Sequence, residues 1–68
     1  MSGLSERPEY IGGFPTKPGW YDVKINGAED RMVFRFCKTC GMFVWEDING
    51  VKAEGDVLWM PGSWDIRP

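Results

Sequence analysis

Residues 31–46, RMVFRFCKTCGMFVWE, read as two strands folded back on each other about Lys38-Thr39. Cross-strand partners of a two-residue hairpin sum to a constant. That rule sets Cys37 opposite Cys40, Arg35 opposite Met42, Phe34 opposite Phe43, Val33 opposite Val44, Met32 opposite Trp45 and Arg31 opposite Glu46. The register stacks Met32, Phe34, Phe43 and Trp45 on one face and leaves Arg31 against Glu46 on the other.

Working upstream, Pro18-Gly19 is a turn signal that launches a strand over residues 20–26. There Tyr21, Val23 and Ile25 alternate with Asp22 and Lys24. Asn26-Gly27 is the sequence pair a type I′ turn requires, because both central residues must tolerate positive φ. It pairs Lys24 with Glu29, Asp22 with Arg31 and Tyr21 with Met32. The two hairpins share a strand and form a meander. Asp22, Arg31 and Glu46 then make a charge ladder on one face, and Tyr21, Met32 and Trp45 line up on the other. A slip of one residue would reverse every side chain, so the agreement of two independently read registers on the core face is informative.

Downstream, Asn49-Gly50 repeats the turn signal and sets Asp47 against Lys52. Strict pairing beyond it would place Glu54 opposite Trp45 and Asp56 opposite Phe43, charge against core. A bulge at Gly55 would correct this and bring Val57 opposite Phe43. A fourth strand over 56–60 would then point Val57 and Trp59 inward. Pro61-Gly62 ends it, and Trp64 and Ile66 are expected to pack back on the sheet. No stretch carries apolar residues at helical spacing for three turns without an intervening Gly or Pro. The expected fold class is therefore all-β: a small antiparallel meander of about four strands, curled or closed into an SH3-like barrel and covered by terminal arms. The chain divides into an irregular N-terminal arm (residues 1–17), a β-meander domain (18–62) and a short tail (63–68). In the arm, Tyr10, Ile11 and Phe14 are the large apolar groups expected to lie over an open end of the sheet.

With 68 residues the chain supports one small domain with a marginal core, to which a metal, a disulfide or a second subunit would add stability that matters. Four Trp, four Phe and two Tyr supply enough apolar area to argue against disorder. Eight basic against ten acidic residues is too balanced a charge to coat nucleic acid. No run approaches the length of a membrane span, and the first residues lack a signal-peptide layout, so a cytoplasmic location is expected.

Cys37-Lys-Thr-Cys40-Gly41 is the one recognisable chemical motif. Two thiolates at this spacing on a tight turn suit two corners of a zinc tetrahedron. The other half is absent, since the chain has no third Cys and no His. Zinc would need two copies meeting in a homodimer, or carboxylates. A redox pair would want its first thiolate at a helix N-terminus. The plain alternative, favoured on sequence alone, is two small side chains flanking a turn, with no cofactor. Without His the usual base at neutral pH is missing, no Ser or Thr stands at an activating spacing, and no glycine loop opens a helix to cradle phosphate. The chain reads as a non-enzyme with no catalytic residues.

In these registers Trp20 falls on the charged face, covered by the N-terminal arm or exposed. Trp20, Arg31, Arg35, Met42 and Glu46 form the candidate binding face, because Trp, Arg and Met are enriched at protein interfaces. The same grouping would suit a nucleotide-like ligand, with a ring for stacking and an Arg for phosphate.

The wording Pro15-Thr-Lys-Pro18-Gly19-Trp20-Tyr21-Asp-Val23, then Gly41-Met-Phe-Val-Trp45, then Val57-Leu-Trp59-Met60-Pro61, resembles the DUF551-like family of short proteins of unknown function found largely in bacteriophages and prophages. The family's closing Val-x-x-Trp-Met-Pro is one residue shorter here, and the CKTCG turn lies outside the family pattern. The resemblance implies a phage origin and no catalytic residues. On that reading the chain is a phage accessory protein that binds a host or defence protein, as an anti-defence or anti-CRISPR-like inhibitor does. The alternatives are a module that sequesters a nucleotide-like ligand, and a zinc-knuckle dimer.

Overall fold

The computed structural model describes residues 9–68, and all their regular structure is β. Strands β1 (Gly19–Ile25), β2 (Ala28–Cys37), β3 (Met42–Glu46) and β4 (Leu58–Trp59) form one antiparallel sheet, curled into a half-barrel, in the order β3-β2-β1-β4. Residues 1–8, the first part of the expected arm, lie outside the described residues. Among the described residues no helix is long and apolar enough to cross a membrane.

The β1–β2 hairpin has the expected register, with Tyr21 opposite Met32, Asp22 opposite Arg31 and Lys24 opposite Glu29. Asn26 and Gly27 both have positive φ, 52° and 84°, the primed turn whose twist matches that of the flanking strands. The second hairpin departs from expectation. Phe34 faces Trp45, Arg35 faces Val44 and Cys37 faces Met42, so the loop holds four residues, Lys38 to Gly41, rather than two. The Gly41 N–H donates to the Cys37 carbonyl at 2.7 Å and closes this wider turn. The partner sum changes by two, and a strand repeats every two residues, so every pair is altered while every side chain keeps its face.

The third turn differs as well. Glu46, not Asp47, bridges to Lys52, and the Ala53 N–H donates to the Trp45 carbonyl at 2.9 Å. The cause is Asp47, whose Oδ1 accepts the N–H groups of Asn49 and Val51 at 2.8 and 2.9 Å. Ala53 thereby takes the inward place beside Trp45, and the conflict of Glu54 with the core disappears without the expected bulge at Gly55.

The fourth strand does not pair with β3. Leu58 and Trp59 pair with Lys24 and Val23 on the far edge of the sheet. Residues 53–57 must therefore cross from the β3 side to the β1 side, and they cover the apolar inner face that an open sheet would leave wet. Val57 packs against the core here rather than opposite Phe43, and Ala53, Ile25 and Trp59 join it.

The core itself is Tyr21, Val23, Met32, Phe34 and Trp45, all buried. The Tyr21 ring meets Trp45 edge-on at 5.8 Å and Trp59 at 5.4 Å, and Phe34 lies 4.9 Å from Trp45. Tyr21, Met32 and Trp45 thus share one dry interior, as the alternation of the first two hairpins requires. Both sheet edges are covered in part: Lys52 and Ala53 pair along the Trp45–Glu46 end of β3, and Ile11 exchanges two backbone hydrogen bonds with Trp59 beyond β4, at 2.8 and 3.0 Å. The tail runs along β1 beside β4. Trp20 and Asp65 exchange backbone hydrogen bonds, and the Trp64 indole N–H donates to the Pro18 carbonyl at 2.7 Å. Ile66 remains exposed rather than packing on the sheet.

Candidate functional site

Strand alternation brings Trp20, Arg31, Arg35, Met42 and Glu46 to the outer face of the curled sheet, so the five predicted residues do share a surface. Their charges are spent internally. Arg31 Nη1 donates to Asp22 Oδ1 at 2.9 Å and to the Ser63 carbonyl at 3.2 Å, and its Nη2 reaches the Arg67 carbonyl at 3.3 Å. Glu46 does not meet Arg31. It accepts from Arg35 Nη1 through both oxygens at 3.0 Å, a diagonal contact created by the shifted register, and only 13% of its side chain is exposed. The expected three-member ladder is thus two separate ion pairs, each worth about 0–1 kcal/mol at such a surface. Trp20 is half-buried, and the strand it stands on is flanked by the C-terminal tail rather than by the N-terminal arm. Met42 alone of the five is an exposed large apolar group.

Met42 also belongs to a second feature. A groove of about 350 Å³ is lined by Phe14, residues 15–18 of the arm, Phe34, Met42 and Phe43. Phe34 is its buried floor, with Phe43 stacked on that ring at 4.9 Å and Phe14 at 5.8 Å. Pro15 is buried, which fixes the arm in place, and the Tyr21 hydroxyl donates to the Lys17 carbonyl at 2.7 Å. Phe14 is 70% exposed despite its stacking, and Phe43 is 42% exposed. Apart from Thr16 and Lys17 the lining is apolar, and the Lys17 ammonium is turned toward the Trp64 ring, 3.8 Å from its centroid. The groove suits an apolar side chain and offers little to a phosphate. Phe43 and Phe34 were legible as neighbours; Phe14 was legible as an apolar group of the arm lying over the sheet, but its place on the Phe34 ring, in a stretch without periodicity, was not.

At the end of the second hairpin Cys37 is buried and Cys40 exposed, both as free thiols. The Cys40 N–H donates to Cys37 Sγ at 3.1 Å, and Lys52 Nζ donates to Cys40 Sγ at 2.7 Å. The Cys37 thiol is held below its ordinary value, first by the hydrogen bond from the Cys40 side chain and then by the Cys40 backbone N–H. The Lys52 charge and the Thr39 N–H act in the same direction, and burial opposes them. Lys52 is pushed up, chiefly by its hydrogen bond to Cys40 and then by the charges of both sulfurs. Cys37 therefore does more than flank a turn: the Cys40 N–H and the neighbouring Lys52 cation favour its thiolate.

No known family model, curated protein or solved structure matches this chain.

Proposed function

We propose that this chain is a small non-enzymatic binding protein that holds a protein partner by an apolar anchor seated in the groove between the N-terminal arm and the second hairpin. The observation that carries the reading is the exposure of Phe14, Met42 and Phe43 around the buried Phe34 ring, beside an outer face whose Arg31, Arg35 and Glu46 are already engaged in ion pairs. Exposed aromatic clusters of this kind mark interaction sites. Burying one Leu- or Phe-sized side chain there contributes about 2 kcal/mol, so tight binding would also recruit the adjacent outer face with Arg35 and Glu46. The resemblance to short phage and prophage proteins directs the proposal to a host or defence protein as the partner.

A photo-crosslinking amino acid placed at position 14, followed by mass spectrometry of the adduct from bacterial lysate, identifies the partner. Binding to that purified partner is then measured for Phe14→Asp, Met42→Asp and Arg35→Gln, each checked for an unchanged fold by near-ultraviolet circular dichroism. The expected pattern is at least tenfold loss for the first two and a small change for the third. Loss confined to Arg35→Gln would move the site to the outer face, and a nucleotide-dependent thermal shift without any protein adduct would replace this reading by ligand sequestration.

A further inference from the structure

The tip of the second hairpin has the makings of half a metal site. Cys37 and Cys40 flank a turn whose backbone already serves sulfur, with the Cys40 N–H on Cys37 Sγ at 3.1 Å. Lys52 Nζ lies 2.7 Å from Cys40 Sγ. N–H groups directed at a sulfur favour the thiolate, the form in which cysteine binds metal, and outer partners of this kind orient metal ligands. Two thiolates at this spacing fill two corners of the tetrahedron zinc prefers. This chain offers no imidazole and no further thiolate for the other two, having no His and no third Cys. Among the described residues no three His, Cys, Asp or Glu groups gather closely enough to hold an ion.

We infer that Cys37 and Cys40 bind zinc together with the same pair from a second copy of this chain, the ion lying on the two-fold axis of a homodimer. An isologous contact supplies the missing pair automatically, because a two-fold axis through the tip presents each knuckle to its own image. Charge supports the second copy. Four thiolates around Zn²⁺ leave two net negative charges, and the two Lys52 ammonium groups that the dimer brings along cancel them. The surroundings support it too. Phe36, immediately before Cys37, is 47% exposed, and Val51 beside Lys52 is 60% exposed. Such apolar groups beside an incomplete metal site are what a second subunit would cover. A chain this small is the kind that uses a metal staple to supplement its core.

The test is native mass spectrometry and sedimentation of reduced protein titrated with zinc, with cobalt as the spectroscopic probe. The expected species contains one ion per two chains, reverts to monomer on chelation, and with cobalt shows the intense charge-transfer and d–d bands of a tetrahedral tetrathiolate. Cys40→Ser, at an exposed position that should leave the fold intact, is expected to abolish both the bands and the dimer. Lys52→Gln is expected to weaken zinc binding roughly tenfold, in the range of other lost outer-shell partners. One ion per single chain, a dimer that persists in Cys40→Ser or after chelation, or a reduced chain that takes up neither metal would overturn the inference.

Discussion

Gly19 shows how a single side chain position is fixed by distant sequence. Its φ is +149°, and a Cβ built there would collide with the Trp64 indole, which closes over the backbone at that point. Gly19→Ala should cost about 2 kcal/mol or more, combining backbone strain with the displacement of Trp64 from its bond to Pro18. Urea denaturation followed by tryptophan fluorescence measures this. In a Trp64→Ala background the cost of Gly19→Ala should shrink to the backbone part, a coupling that would be absent if the indole did not rest there. The thiols offer a second residue-scale prediction. In metal-free reduced protein the first thiolate should appear, by its ultraviolet absorbance, at lower pH than in a free cysteine. Cys40→Ala should raise that onset more than Lys52→Gln, following the order of causes acting on Cys37. The sign for stability follows. A depressed thiol pKa contributes stability that is fully present above the unfolded value of 9.0 and lost as pH falls through the folded one. The raised Lys52 contributes stability below its unfolded value of 10.5 and loses it as pH rises through the folded one. Both contributions are complete only between those two values, so replacing Lys52 should matter most in mildly alkaline solution.

At the scale of elements, the three turns differ in how much of their geometry is local. Asn26-Gly27 specifies its own turn, and the alternation on either side agrees with it, so the β1–β2 register was legible to the residue. Lys38-Thr39 carries no such requirement. The wider loop wins because the Cys37 carbonyl and sulfur find donors in Gly41 and Cys40, an outcome that alternation alone does not rank. The core face was still legible there, since a shift of two preserves it. At the third turn the deciding atom is Asp47 Oδ1, which fixes two N–H groups and moves the pairing by one. Asp47→Ala should therefore cost about 1 kcal/mol, as the loss of a comparable cap does. Hydrogen exchange should show faster opening at Asn49, Val51 and Ala53 while the β1–β2 amides keep their protection. Equal loss of protection in both hairpins would mean that the turn is not an independent unit. The groove was legible only in part, because Phe34 and Phe43 lie on patterned strands whereas Phe14 reaches them by the tertiary course of an arm rich in Gly and Pro.

On the scale of the whole molecule, the choice of edge for β4 is what local pattern cannot express. Val57 and Trp59 were readable as inward, but either edge of the meander would bury them. The choice of the β1 edge closes the inner face with the crossing segment and lets the tail continue alongside β1. The tail is then a structural member rather than an appendage. Ser63 Oγ accepts from the Asp22 N–H at 2.9 Å, Asp65 exchanges two hydrogen bonds with Trp20, and the Ser63 and Arg67 carbonyls receive the Arg31 guanidinium. Three of these five hydrogen bonds go to the backbone of β1 and contribute about 1 kcal/mol each, and Trp64 adds the cover it gives Gly19. Deleting residues 63–68 should therefore cost roughly 3 kcal/mol, a large fraction of the stability expected for a domain of this size. Exchange of the Trp20 and Asp22 amides should accelerate first, because the first loses its only partner on that edge and the second its hydroxyl acceptor. The Val33 to Phe36 amides, paired with β3 on the opposite side, should keep their relative protection until global unfolding. A truncated chain as stable as the full one would mean that β4 alone holds the β1 edge, and the tail would then be free to serve as part of a binding surface with Trp20 and Arg31.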